Sequence, residues 1–223
     1  MNAILSRRLV AAGRRTRRWL GLLLLLPALA LAGSYDDYFE AIHMDDARVL
    51  RQLLQRGLSP NMVEAQRGYN GMMLALREDS MSVFTVLFNT PGVDLEAHAK
   101  NGDTVLMLAA FHGYPAVVRE LLAREVEVNG PGWTALHYAA INGNPQSIKA
   151  LLDASAYIDA ESPEGKMTPI MLAAVRGRVG AVKLLREEGA DISLKNSDGL
   201  TALDLARRAH QDEVIEILSA PAP

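Results

Sequence analysis

A chain of 223 residues, 49% of them hydrophobic and none a cysteine, excludes disulfide staples and lipid attachment at an N-terminal cysteine. Its formal charge of −3 hides an asymmetry: six of the 23 basic residues fall in the first 18 positions, and everything after Ala32 carries 17 basic against 26 acidic residues. That net of −9 argues against nucleic acid as a partner, since phosphate binding needs clustered Lys and Arg, and favours a basic or polar protein instead.

The N-terminus reads as an export signal over residues 1–32. Arg7, Arg8, Arg14, Arg15, Arg17 and Arg18 precede an apolar run from Trp19 to Leu31, and Ala30-Leu31-Ala32 forms a small-x-small cleavage site releasing a chain from Gly33. The run contains Pro27 and falls short of the ~20 residues of a bilayer span. A cleaved leader is therefore preferred to an uncleaved anchor. Thr16-Arg17-Arg18-Trp19-Leu20 loosely matches a twin-arginine signal, but the leucine-rich core favours the general secretion route. The expected localisation is periplasmic, the alternative an inner-membrane anchor facing the periplasm.

From Ser34 onward the chain repeats itself. Ala41, Ala75, Ala109, Ala139, Ala173 and Ala206 are each followed twelve residues later by a leucine: Leu53, Leu87, Leu121, Leu151, Leu185 and Leu218. The steps of 34, 34, 30, 34 and 33 residues are the signature of a stacked solenoid. Within one unit, Thr104 is placed to N-cap a short helix through Ala109-Ala110, Gly113 punctuates, and Val117, Val118, Leu121 and Leu122 make one face of a second helix. Neither helix can bury its face alone, which is why the unit recurs.

These residues resemble ankyrin repeats, through Gly132-Trp133-Thr134-Ala135-Leu136-His137-Tyr138-Ala139-Ala140 with Asn142-Gly143, and again through Thr168-Pro169-Ile170-Met171-Leu172-Ala173-Ala174 with Gly177. The resemblance implies an all-α ankyrin-repeat solenoid over 33–219, of about six helix-turn-helix units joined by short β-hairpin connectors. The units lie near 34–67, 68–101, 102–131, 132–164, 165–198 and 199–219, with a C-terminal tail at 220–223. Departures are informative. Asp45 and Asp79 replace the inter-helix glycine in units one and two, Asn70-Gly71-Met72-Met73 replaces the usual opening, and the connector Arg124 to Pro131 is three residues short.

No catalytic constellation emerges, and the chain reads as no enzyme, with no cofactor and no small-molecule substrate. His43, His98, His112, His137 and His210 form no i,i+4 pair, and Gly165-Lys166-Met167-Thr168 lacks the first glycine and the hydroxyl of a phosphate loop. The resemblance gives His137 a bond to backbone in the neighbouring loop. Asp36, Asp37 and Glu40 are expected at the start of the first helix and Asp45 and Asp46 at that of the second, where negative charge suits the macrodipole. Met73, Met107, His137 and Met171 recur in register, a set with Cu(I)-compatible donors, yet methionine is also an adaptable core filler, so no metal site is assigned.

Carried over position by position, the resemblance puts Phe111, His112, Ile141, Asn142, Val175, Arg176, Arg207 and Arg208 on a concave binding face, together with Arg77 and Glu78. Asp103, Trp133, Met167 and Leu200 join them from the residue before the helix opening, and Lys100, Asn101, Glu164, Ser197 and Asp198 from the connector tips. An apolar stripe through units three to five, rimmed by polar groups, marks a protein interface with aromatic anchors. The expected function is that of an exported protein–protein interaction module, a periplasmic accessory or stress-protection factor. The alternatives are a toxin-neutralising immunity protein and, from another class, a copper-binding or enzyme-accessory protein.

Overall fold

The computed structural model describes residues 25–221; positions 1–24 of the expected signal lie outside the described residues. Helices come in six consecutive pairs among the described residues: α1 (Leu25–His43) with α2 (Ala47–Gln55), α3 (Gly71–Arg77) with α4 (Met81–Phe88), and α5 (Val105–His112) with α6 (Pro115–Leu122). They continue as α7 (Ala135–Asn142) with α8 (Pro145–Asp153), α9 (Pro169–Val175) with α10 (Val179–Glu187), and α11 (Ala202–Arg208) with α12 (Asp212–Ser219).

The first helices of the pairs stack on one another as an inner layer, and the second helices form an outer layer behind them. The recurrent alanines are buried where inner helices meet, which lets the backbones approach closely; the recurrent leucines are buried beneath the outer helices. The all-α solenoid expected from the sequence is what the chain forms.

Local chemistry starts and stops each helix. The side chains of Asn70, Thr104 and Thr201 accept the backbone N–H of Met73, Met107 and Asp204 at 2.9, 3.3 and 3.2 Å, satisfying donors that a helix leaves open. Pro169 opens α9, where its missing N–H costs nothing. The turn inside each pair needs one left-handed residue. Gly113, Gly143 and Gly177 supply it, and Asp45 (φ 48°), Asp79 (φ 60°) and His210 (φ 53°) replace glycine in the other units. The Asp45 carboxylate also accepts the N–H of Val83 at 2.8 Å, so it caps the outer helix of the next unit.

Two expectations are corrected. Asp36, Asp37 and Glu40 do not begin a helix: α1 starts at Leu25 and runs through them, because Gly33 and Ser34 do not stop it, so the macrodipole argument fails there. Asp46 does cap α2, accepting from Arg48 and Val49 at 3.0 Å. The connectors, secondly, are tight turns rather than strands. One antiparallel bridge, Val63 to Asn70, is the extent of β pairing among the described residues. Elsewhere backbone bonds close the turns, as from Ala99 N–H to the Asp103 carbonyl (2.9 Å) and from Ser162 N–H to that of Met167 (3.0 Å). The short connector 124–131 has no such closing bond among the described residues, in keeping with its missing length.

The unusual Gly71 has a steric cause. Tyr38, fully buried, donates its hydroxyl to the Pro60 carbonyl at 2.8 Å, and a Cβ at position 71 would fall inside contact distance of that hydroxyl and 2.9 Å from Leu87 Cδ1. Alanine elsewhere in a helix gains about 1 kcal/mol over glycine. Here overpacking of about 1–3 kcal/mol opposes the gain. Gly71→Ala is therefore expected to be neutral to destabilising by up to about 2 kcal/mol in urea melts, whereas the double variant Gly71→Ala/Tyr38→Phe recovers part of the loss.

Outer-layer packing is uneven. Backbones of neighbouring outer helices approach closely in four of the five junctions, but α4 and α6 stand apart. A groove of about 590 Å³ lies between them, floored by Phe84, Phe88 and Val117. Arg124 bridges it, with its guanidinium 3.8 Å from the Phe88 ring centroid and a 2.8 Å bond to the Phe88 carbonyl.

Candidate binding surface on the inner helices

Units three and four bring three aromatic rings together. Phe111 is the penultimate residue of α5, Tyr138 lies within α7, and Trp133 precedes Thr134, the residue that caps α7. Tyr138 stands between the other two: its ring centroid is 5.7 Å from that of Phe111 at 85° and 5.9 Å from that of Trp133 at 59°. Edge-on meetings of this kind suit the ring quadrupoles. Phe111 remains 40% exposed, which is high for so large an apolar side chain. The Trp133 indole N–H donates to Glu164 Oε2 at 2.7 Å, tying the ring to the next connector.

Beneath the row lies Asp103. The sequence reading put it on the open face; the structure buries it, leaving 5% of its surface accessible. Its Oδ1 accepts the Tyr138 hydroxyl at 2.6 Å, and its Oδ2 accepts the Asn101 amide at 2.7 Å and the Tyr69 hydroxyl at 3.3 Å. One carboxylate thus joins units two, three and four. Burial, and then the bond to Asp103, hold the Tyr138 hydroxyl far above the ordinary phenol range; burial followed by the Asp103 charge raises Tyr69 as well. Both stay protonated donors at neutral pH.

Tyr138 is the member that sequence reasoning missed. The signal was present: Tyr69, Asp103 and Tyr138 are separated by 34 and 35 residues, one repeat each, and residues one period apart are neighbours in a stack.

His137 is structural, as the resemblance implied. Its Nδ1 accepts the Thr134 N–H at 3.1 Å, and its Nε2 faces the carbonyls of Ala160 at 2.9 Å and Met167 at 3.1 Å. A ring nitrogen that accepts an N–H is unprotonated, so the neutral ring carries its proton on Nε2 and donates into the following connector. Burial lowers its pKa, against the opposite pull of the two carbonyls. Met73, Met107 and Met171 are likewise buried at the matching positions.

The remaining candidates divide by their contacts. Asn142 donates its amide to the Phe111 carbonyl at 2.9 Å, and the Met167 sulfur accepts from Asn196 at 3.5 Å, so both tie neighbouring units. Ile141, Val175 and Leu200 are half-buried, as is His112, whose ring stacks 6.4 Å from Tyr114 and whose pKa burial lowers. Glu78 meets His43 at 2.5 Å. Arg176, Arg207 and Arg208 are exposed, Arg207 lying 3.7 Å from Asp204. Among the connector tips, Lys100 donates to the Ala65 carbonyl at 2.7 Å, and the Ser197 N–H bonds to that of Gly165 at 2.9 Å. The described residues contain no cluster of three or more His, Asp or Glu arranged to hold a metal ion, and no helix long and apolar enough to cross a membrane.

Six stacked helix pairs with a shared inner face define a repeat-built helical scaffold. Family models for ankyrin repeats match residues 39–162 (three copies) and 157–206 (many copies). The chain belongs to the ankyrin-repeat family, whose repeats make protein–protein interaction modules. It is similar to the human SH3 and multiple ankyrin repeat domains protein 2, 31% identical over 76% of this chain and 9% of that protein. It is also similar to two Drosophila melanogaster proteins: tyrosine-protein kinase Shark (28% identical; 82% of this chain, 20% of the kinase) and palmitoyltransferase Hip14 (36%; 45% and 16%). The chain spans less than a quarter of the length of the curated relatives it matches.

Proposed function

We propose that this chain is an exported, non-enzymatic ankyrin module that binds a partner protein on its inner-helix face and serves in the periplasm as an accessory or stress-protection factor. The observation that carries the binding site is the row Phe111–Tyr138–Trp133, an aromatic patch assembled from two units with Phe111 40% exposed. Aromatic side chains of this kind supply much of the energy of protein interfaces. The other expected contributors, Ile141, Val175, Arg176, Leu200, Arg207 and Arg208, extend the face toward the C-terminal units. Export rests on the sequence of residues 1–32. Tyr38, Phe39, Ala41 and Ile42 of α1 enter the core downstream of Gly33, so removal of the leader leaves them in place.

Crosslinking capture from a periplasmic extract tests the reading. Wild type is expected to retain a partner that the still-folded double variant Phe111→Ala/Trp133→Ala binds at least ~100-fold more weakly, given typical hot-spot losses of 2 kcal/mol or more per residue. Equal capture by both would remove the site from this face. Intact-mass measurement of the exported chain, starting at Gly33 or at Met1, decides between leader and anchor.

A further inference from the structure

The aromatic row is not electrically neutral ground. Glu164 Oε2 accepts the Trp133 indole N–H at 2.7 Å, while Oε1 has no protein partner among the described residues. The Glu164 charge also reaches Tyr138, where it helps raise the hydroxyl pKa. Below, the donors around Asp103 are all neutral: two tyrosine hydroxyls and one amide. Two negative charges thus lie within the footprint of the row, and neither forms an ion pair among the described residues. The cations nearby are engaged or peripheral: Lys166 pairs with Glu161 at 3.3 Å, Lys100 donates to the Ala65 carbonyl, and Arg67 acts on Tyr69 at the far end.

This arrangement constrains what can cover it. A partner that buries Trp133 also buries the carboxylate bonded to its indole, and a buried charge without a counter-charge is strongly unfavourable. An acidic partner group adds repulsion. A purely apolar one strands Oε1. A cation gains on both counts, because it pairs with the carboxylate and meets aromatic rings whose faces attract positive charge. The bond from the Tyr138 hydroxyl to a carboxylate pushes electron density into the ring and strengthens that attraction. Guanidinium fits best, since it stacks on a ring while its fork of N–H groups reaches a carboxylate edge-on. The rest of the described surface is acidic in the same sense, with 17 basic against 26 acidic residues after Ala32.

We infer that the corner formed by Phe111, Tyr138, Trp133 and Glu164 receives a cationic side chain, arginine foremost, from the partner protein. This rests on the inner-face reading above and adds the chemistry of what docks there.

The test is a random-peptide display selection against the full-length chain, run beside Glu164→Gln and Phe111→Ala/Trp133→Ala, with each variant's fold verified by circular dichroism and melting. Wild type should enrich peptides with a shared Arg or Lys. Their affinity should drop about tenfold in Glu164→Gln, and by a similar factor when the arginine is replaced by isosteric, neutral citrulline. Peptides lost from the double variant, indifferent to Glu164→Gln and lacking a basic residue would overturn the inference and leave the binding face intact. Peptides that bind the double variant as well as wild type would overturn both. A selection that enriches nothing also counts against both.

Discussion

Replacing Asp103 with alanine is expected to lower the unfolding midpoint by roughly 6–12 °C, the shift that about 3 kcal/mol produces in a chain of this size. The residue is buried, and its carboxylate is the acceptor for Tyr138, Tyr69 and Asn101. Removing it strands two tyrosine hydroxyls, one half-buried and one buried, and an unpaired buried donor costs about 1–3 kcal/mol. Asp103→Asn keeps one acceptor oxygen and should lose about half as much. The discriminating measurement is a double-mutant cycle with Tyr138→Phe. If the bond is what matters, the two losses fall well short of additive, whereas additive losses would mean that Asp103 acts through something other than this hydroxyl. Because its three partners span units two to four, the Asp103 variant should also broaden the transition, as the stack loses coupling between neighbours.

The second large effect belongs to His137, and the chain supplies its own control. Methionine occupies the matching position in units two, three and five, and in unit five the Met171 sulfur accepts the Thr168 N–H at 3.4 Å, as His137 Nδ1 accepts that of Thr134. His137→Met therefore preserves the acceptor and removes the Nε2–H donor to Ala160 and Met167. It should cost about 1–2 kcal/mol, against about 3 for His137→Ala, which also leaves a cavity.

The pair separates further on pH. Burial depresses the folded-state pKa of His137 below 6.5, so the unfolded chain takes up the proton first as the pH falls. The stability contribution is fully present above about 6.5 and declines below it until the folded-state value is passed. Wild type should lose stability between pH 7 and 5.5, above the range where carboxylates titrate. His137→Met should show a shallower decline, the remainder coming from His112, whose pKa is lowered in the same direction. An unchanged pH profile in the methionine variant would exclude His137 as the titrating group.

Much of this architecture was legible because a repeat states its rules several times over. Thr104 and Pro169 begin helices where their chemistry says they should, and Asp45 and Asp79 occupy the left-handed positions that glycine fills elsewhere. What escaped was contact between units. Asp103 looks exposed when its own unit is read alone, and its burial depends on tyrosines one period away on either side. The start of α1 was missed for the opposite reason: the reading assumed that the first unit begins afresh after Gly33, whereas nothing in Ala32-Gly33-Ser34 breaks a helix already under way. At the candidate face, Phe111 and Trp133 were picked out by register, but Tyr138, which joins them, occupies a position that its neighbouring units fill with Leu108 and Leu172. Only the width of its ring brings it into the row.

The gap between α4 and α6 gives the molecule a grain. Elsewhere neighbouring outer helices pack directly on one another; at this joint Arg124 reaches across the groove to Phe88, Asp79 accepts the Tyr114 hydroxyl, and Tyr69 reaches Asp103. Under load from its ends the stack is expected to part first between units two and three, where outer-layer contact is least, and single-molecule pulling would register this as separate two-unit and four-unit events with Phe111, Tyr138 and Trp133 kept together on the larger block.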